Sequence, residues 1–374
     1  MKFQVSSIAL ANKLSVMAKV INAKPVLPIL SNFLLELDGE TLQITVSDGE
    51  CMQCSTLSVT VAEENGKICL PADKLLDALR SLPEQSIEFT INEPTFEINI
   101  KYNNGKYDFV GYPADEYTIP SPLSNIKKEI QIEATTLNTA ITQSLFAVAN
   151  DELRPIMNGI HISTKKGMFQ SAASDGQKLV RNTYKMENPI EEIEFVVPTK
   201  AAKLLKNLTN KVTTSIIVTY NEREAIFIIE NDIFRCRLLE GKFPNYNAVI
   251  PKNNTNIAII EREILLSTIK RVGVFSSVAN GSIEMNFSGI GLDISGKDID
   301  YSISAKETLF CAYSGKNLRI GFKCEYLRQI LENITSKEIT FLMDDCSQAA
   351  IIKPVGEDDK TENLSLLVPM MLGA

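Results

Sequence analysis

Two short bends constrain this chain more than anything else in it: Ser47-Asp48-Gly49 returns as Ser174-Asp175-Gly176, 127 residues later. Asp accepts hydrogen bonds from nearby backbone amides and Gly tolerates positive φ, so the pair closes a tight bend. One such pair says little, but other features recur at nearly the same interval. The helical stripe Leu10, Leu14, Met17 and Ile21 has its counterpart at Leu137, Ile141, Ser144 and Val148. A third, weaker copy falls at Ile264, Thr268, Arg271 and Phe275, with Leu265, Ile269 and Val272 alongside. A chain of 374 residues is too long for one ordinary core, and three units of about 125 residues fill it.

Each unit opens on a strand and then a helix, as in Phe3, Gln4 and Val5 before the first stripe. Period-two strands come next, for example Leu42/Ile44/Val46, Phe96/Ile98/Ile100, Ile283/Met285/Phe287 and Ile290/Leu292/Ile294, with turns such as Asn103-Asn104-Gly105-Lys106 between strands. They read as antiparallel meanders with one buried face. A second helix in each unit carries Ala72/Leu75/Leu76/Leu79, Ala201/Leu204/Leu205/Leu208 and Leu327/Ile330/Leu331/Ile334. Pro71 and Pro198 stand just before the first two of these, where a missing N–H costs little. The expected fold is α+β, two helices over curved antiparallel sheets, three times in tandem. Proline-rich and polar links at 120–128 and 251–254 put the domains at 1–127, 128–255 and 256–374.

No stretch approaches the roughly 18 apolar residues that span a bilayer, and the amino terminus lacks a signal-peptide core, so a soluble cytoplasmic protein without a membrane partner is expected. Seven cysteines sit singly apart from Cys51-Met52-Gln53-Cys54, which has no second pair or histidine to make a zinc site; they read as reduced, buried thiols. The lone histidine, His161, alternates with Ile160 and Ile162 in an expected strand and has no nucleophile motif beside it. Asp48 and Asp175 occupy equivalent places in separate repeats, a domain width apart, so they are turn formers rather than a carboxylate pair. No catalytic residue, metal or cofactor is expected.

The net charge of −8 argues against a nucleic-acid partner until its distribution is read. Helices expected at 6–22, 73–82, 135–149, 199–208, 261–273 and 323–333 carry +2, 0, 0, +3, +1 and 0, which leaves −14 on the rest of the chain. Lys200, Lys203 and Lys206 lie away from the apolar face of their helix, as do Lys13 and Lys19 on the first; Lys270 and Arg271 lie on the fifth. A basic helical side on an acidic protein suits a polyanion held without base reading. Three touching domains about 35 Å wide leave a gap of only about 5 Å, whereas six in a ring leave about 35 Å. A ring around duplex DNA therefore needs two chains joined head to tail.

The chain resembles the bacterial DNA polymerase III beta subunit, the sliding-clamp family, essentially end to end. The residues that carry the resemblance are Met1-Lys2-Phe3, Lys24-Pro25-Val26-Leu27-Pro28-Ile29-Leu30, Ser174-Asp175-Gly176-Gln177-Lys178-Leu179, Gly241-Lys242-Phe243-Pro244-Asn245-Tyr246 and Leu367-Val368-Pro369-Met370-Met371-Leu372. It implies a homodimeric ring whose helices line a sequence-independent DNA channel, with a replicative polymerase subunit, a clamp loader and other peptide-bearing proteins as partners in a nucleoid-associated cytoplasmic setting. Implied for the partner-peptide pocket are Met157, Ser174, Gly176, Gln177, Lys178, Leu179, Pro244, Val249, Tyr326, Cys346, Val368, Pro369, Met370 and Leu372. For DNA the resemblance adds Lys24 and Arg154, and for the ring interface Tyr107 and Phe109 against Val274 and Phe275. Gln177-Lys178 stands where the family often has His-Arg, Ala248 where it often has Arg, and Gly373-Ala374 run past its usual end. A peptide-binding scaffold that has kept the fold without holding DNA is the competing reading.

Overall fold

The computed structural model describes residues 1–126, 128–186, 191–277, 280–356 and 359–372; Gly373 and Ala374 lie outside them. Among these residues six helices stand in the expected places: α1 (Ser7–Met17), α2 (Ala72–Arg80), α3 (Ala134–Ser144), α4 (Thr199–Leu208), α5 (Arg262–Gly273) and α6 (Cys324–Glu332). Each comes directly after a strand, and Ser6 caps α1 by accepting the Ala9 N–H at 3.2 Å. The second-helix stripes are buried at Leu75, Leu76, Leu79, Leu204, Leu205, Leu208, Leu327, Ile330 and Leu331, whereas Ile334, expected to close the third stripe, lies past the end of α6 and is half-buried. Each such leucine contributes about 1.5–3 kcal/mol of apolar burial.

Three local expectations are corrected. The apolar face of α5 is Leu265, Leu266, Ile269 and Val272, while Ile264 and Arg271 are exposed. Thr268 is buried there because its hydroxyl reaches the Glu307 carboxylate at 3.2 Å. Ile290 is 96% exposed, since the strand Gly291–Asp298 begins only after the turn that contains it. Phe96 likewise falls in a turn, with φ 58°, ahead of the strand Glu97–Tyr102. The polar member of the α3 stripe, Ser144, is wholly buried because its hydroxyl meets Ser171 Oγ at 3.0 Å and accepts from Asn182 Nδ2 at 3.2 Å.

Strand pairing crosses the repeat boundaries. An eight-stranded antiparallel sheet joins strands of the first and second repeats where Cys51–Ser58 pairs with Asp232–Arg237. A nine-stranded sheet joins the second and third where Lys178–Lys185 pairs with Thr361–Leu367, a seam reinforced by Arg181 on Glu362 at 2.8 Å. The chain accordingly divides into two compact units that cut through the second repeat, residues 1–138 with 203–238, and 139–202 with 239–374. A five-stranded sheet in the first unit ends on the edge strand Gly105–Val110, and a four-stranded sheet in the second ends on Ile303–Leu309. No helix among the described residues is long and apolar enough to cross a membrane.

Candidate functional site

The two bends that organise the sequence have nearly the same construction. In the second, Asp175 Oδ1 accepts the N–H groups of Gln177 and Lys178, each at 2.9 Å, while Ser174 Oγ accepts the Gly176 N–H at 3.1 Å and donates to the Lys178 carbonyl at 2.8 Å. In the first, Asp48 Oδ1 accepts from Glu50 and Cys51 at 2.8 and 2.6 Å, and Ser47 Oγ plays the part of Ser174. Gly49 and Gly176 have φ of 94° and 92°, a backbone that side-chain-bearing residues resist.

Beyond the second bend the run 368–372 is held against strands of the second and third repeats. The Gln177 carbonyl accepts the Val368 N–H at 2.9 Å, and the Met370 N–H donates to the Gly321 carbonyl at 2.8 Å, so the run 368–372 is tied at two points. Gly321 has no room for a side chain, because a Cβ would stand 2.6 Å from Leu372 Cδ2. Lys178 is 5% exposed; its ammonium lies 2.6 Å from Asp175 Oδ2 and 4.2 Å from the centroid of the Tyr326 ring. The apolar base beneath comprises Leu179, Phe243, Tyr246, Ile351 and Leu366, with Ile156 and Ile250 packed against it. Phe243 and Tyr246 sit in a motif that the sequence displays; Ile156 and Ile250 carry no signal of their own.

Pro244, Val249 and Val368 are exposed, Pro369 and Leu372 are half-buried, and Met157 is buried. Cys346 is exposed in the turn 344–349, whose last residue, Ala349, packs against the base. Ala248 is exposed in the short turn Tyr246–Ala248. Arg154, read from sequence as a DNA contact, stands beside Gly176: a Cβ there would be 3.5 Å from its Nη1. Asp151 holds the guanidinium at 2.8 Å.

His161 packs against the base. Its ring stacks on Phe243 at 5.1 Å and meets the edge of Tyr246 at 5.6 Å, with Nε2 3.1 Å from Glu194 Oε1. Burial pushes its pKa down, opposed by Glu194, and the net effect favours the neutral ring. The seven cysteines are free thiols, and burial raises that of Cys69 to about 12.

The basic residues divide into two groups. Lys13 is held by Asp232 at 3.0 Å, Lys270 by Glu332 at 2.8 Å and Arg271 by Glu307 at 2.6 Å. Lys19, Lys24, Lys203 and Lys206 have no ion pair among the described residues, and all four are exposed. Lys200 is half-buried at the start of α4. Tyr107 and Phe109 lie half-buried on the edge strand Gly105–Val110, their rings 6.5 Å apart, and Val274 and Phe275 are exposed just past α5.

Three family models match in succession: the DNA polymerase III beta subunit N-terminal domain over residues 1–120, its central domain over 131–245 and its C-terminal domain over 247–369. The chain is 26% identical over 376 residues to a beta sliding clamp of Haemophilus influenzae, with 100% of both chains covered. A beta sliding clamp of Pseudomonas aeruginosa is also 26% identical, over 375 residues and 100% of both chains. The crystal structure of a Pseudomonas aeruginosa sliding clamp bound to griselimycin superposes with a TM-score of 0.94 at 25% identity, over 100% of both chains. The DNA polymerase III beta subunit of Thermotoga maritima gives 0.90 at 24%, again over 100% of both, a likeness of fold.

Proposed function

The chain belongs to the DNA polymerase III beta subunit family, the beta sliding clamps that act as DNA polymerase processivity factors, and on that premise we propose that two copies close head to tail around duplex DNA. The observation that carries the closure is the fate of equivalent strands. Cys51–Ser58 and Lys178–Lys185 each pair with the last strand of the following repeat, whereas their counterpart Ile303–Leu309 and the remaining last strand, Gly105–Val110, both end their sheets. Two unpaired edges of matching type on one chain invite a heterologous contact between copies.

The repeat also supports a register. Cys51 lies opposite Cys236 and Lys178 opposite Leu367, and the hairpins make Phe109 the counterpart of Cys236 and Leu367. Ile303 corresponds to Leu179, since each pairs with the residue that opens its bend. Carried to the contact between copies, this correspondence sets Tyr107 of one copy opposite Ser304 of the other.

Within the ring the helices face the duplex with Lys19, Lys24, Lys203 and Lys206 as the primary phosphate contacts, Lys200 beside them and the ion-paired Lys13, Lys270 and Arg271 secondary. Domains at 1–127, 128–255 and 256–374 give the six bodies required. The groove around Leu179 and Tyr246 takes short peptides of the replicative polymerase, the clamp loader and other partners; its apolar base and few polar groups suit glutamine with apolar anchors. No catalysis is assigned, and the setting is cytoplasmic. Tethering raises the polymerase's effective concentration at the primer end. After loading, the protein is retained on nicked circular DNA and lost from linear DNA; equal loss from both leaves only a peptide-binding scaffold.

A further inference from the structure

We propose that the second and third repeats hold a separate small-molecule site, for an adenine nucleotide. A cleft of about 360 Å³ lies on the helix-bearing side of the seam where Lys178–Lys185 pairs with Thr361–Leu367. Leu179 and Leu366 belong to the apolar base, and neighbours along a strand alternate faces, so Val180 and Ser365, opposite one another, line the cleft from the other side of the sheet. Gln143 and Phe146, on α3 and in the turn after it, form one wall. Ile330 on α6, with Asn333 and Ile334 just past its end, forms the other. Lys337 is an exposed residue of the rim.

The protons on two buried serines decide what the cleft offers. Ser171 donates its hydroxyl proton to the Ala140 carbonyl at 3.3 Å, so the 3.0 Å contact between Ser144 and Ser171 uses the proton of Ser144. Both oxygens then present only lone pairs, and Asn182 must turn its NH₂ group to them, at 3.2 Å each. Its Oδ1 therefore points away from the serines, and it has no partner among the described residues although Asn182 lines the cleft and is 1% exposed. The hydroxyl of Ser365, a residue 6% exposed, has none either. A buried acceptor without a donor is costly, so the cleft suits a ligand that brings one. Gln143 is the converse: its Oε1 takes the Tyr184 hydroxyl at 2.8 Å, which leaves its Nε2 donors open.

An amino group beside a ring nitrogen matches this pair. Adenine gives its N6–H to Asn182 Oδ1 and accepts from Gln143 at a ring nitrogen, the chemistry by which amide side chains recognise that base. Phe146, Val180, Ile334 and Ile352 supply apolar surface for the ring, and the volume is that of a small-ligand pocket. Among the described residues no carboxylate lines the cleft and Lys337 has no ion pair, so a 5′-phosphate meets a cation at the rim and no acid. A 6-oxo purine in the same pose sets oxygen against oxygen at Asn182. None of the proposed function is needed for this site.

The test is isothermal titration calorimetry of the full chain with adenosine 5′-monophosphate. Saturable one-to-one binding is expected, and inosine 5′-monophosphate, with an oxygen in place of the 6-amino group, binds at least about tenfold more weakly. Gln143→Ala weakens the adenine nucleotide and adenosine alike, by about three- to tenfold. Lys337→Glu, at an exposed position that keeps the test open should Gln143→Ala disturb α3, weakens the nucleotide at least about twofold and leaves adenosine unchanged. Met370→Lys, on the opposite side of the sheet, leaves all of this intact. Absence of saturable binding overturns the proposal, as does equal affinity for the inosine nucleotide or an equal effect of Lys337→Glu on nucleotide and nucleoside. Displacement of the nucleotide by an equimolar deoxyadenosine octanucleotide also overturns it, since the site would then read bases of a strand.

Discussion

The ammonium of Lys178 stands 4.2 Å from the centroid of the Tyr326 ring, docking the bend of the second repeat on a helix of the third. Asp175 holds the same ammonium at 2.6 Å, and Lys323 lies 4.6 Å from the same ring. Because Lys178 is buried, the contact works in a low dielectric. A double-mutant cycle of Lys178→Met and Tyr326→Leu is expected to give a coupling of about 1–2 kcal/mol by urea unfolding. Additive single effects would mean that ammonium and ring do not stabilise one another.

The two bends should fail alike. Gly49→Ala and Gly176→Ala each force a side chain onto a φ near 90°, with open space around the first and Arg154 as the nearest neighbour of the second. Strain rather than crowding sets the loss, about 1–3 kcal/mol in each. Calorimetric midpoints that fall by similar amounts support the structural equivalence; a neutral Gly176→Ala contradicts it.

His161 makes stability depend on pH. Burial lowers its folded-state pKa, so the unfolded chain binds the proton first as pH falls through about 6.5. Its contribution is therefore full above that value and is lost as pH drops toward the folded pKa, with no change on the alkaline side. Urea midpoints of the native chain and His161→Phe, measured between about pH 5 and 8, should diverge only below about 6.5, the native chain showing the steeper fall. Parallel curves would mean that His161 titrates alike in both states.

The four lysines without ion pairs are the sharpest test of the DNA face. Replacing Lys19, Lys24, Lys203 and Lys206 by alanine should flatten the slope of log affinity against log salt by up to about 3–4, near 0.9 for each phosphate no longer neutralised. Replacing Lys13, Lys270 and Arg271, which already hold acids, should change it by less than about 1. Filter binding to a nicked plasmid over a salt series measures both slopes, and the reverse order would move the face elsewhere.

Much of this was readable from residues alone, because repetition turns weak signals into strong ones. The bends at Asp48 and Asp175, the second-helix stripes and the paired strands of the meanders are all legible in spacing. The misplaced residues are those whose setting depends on side-chain reach. Ile264 and Ile290 are apolar in regular positions, yet one faces solvent on α5 and the other tops a turn. Arg154, expected at the DNA, has Gly176 and Asp151 as neighbours, a placement that no local signal announces. The polar stripe members Ser144 and Thr268 are buried on the strength of their partners Asn182 and Glu307, and neither pairing has a local signature.

The central claim is closure by two chains, and the contact of Tyr107 with Ser304 tests it most directly. With exposed Cys346 changed to Ser, the variant Tyr107→Cys with Ser304→Cys is oxidised after loading on circular DNA and run on a denaturing gel. A covalent two-chain circle that stays on the DNA through denaturant is the predicted result. A ladder of longer chains, or monomer alone, would contradict closure in this register.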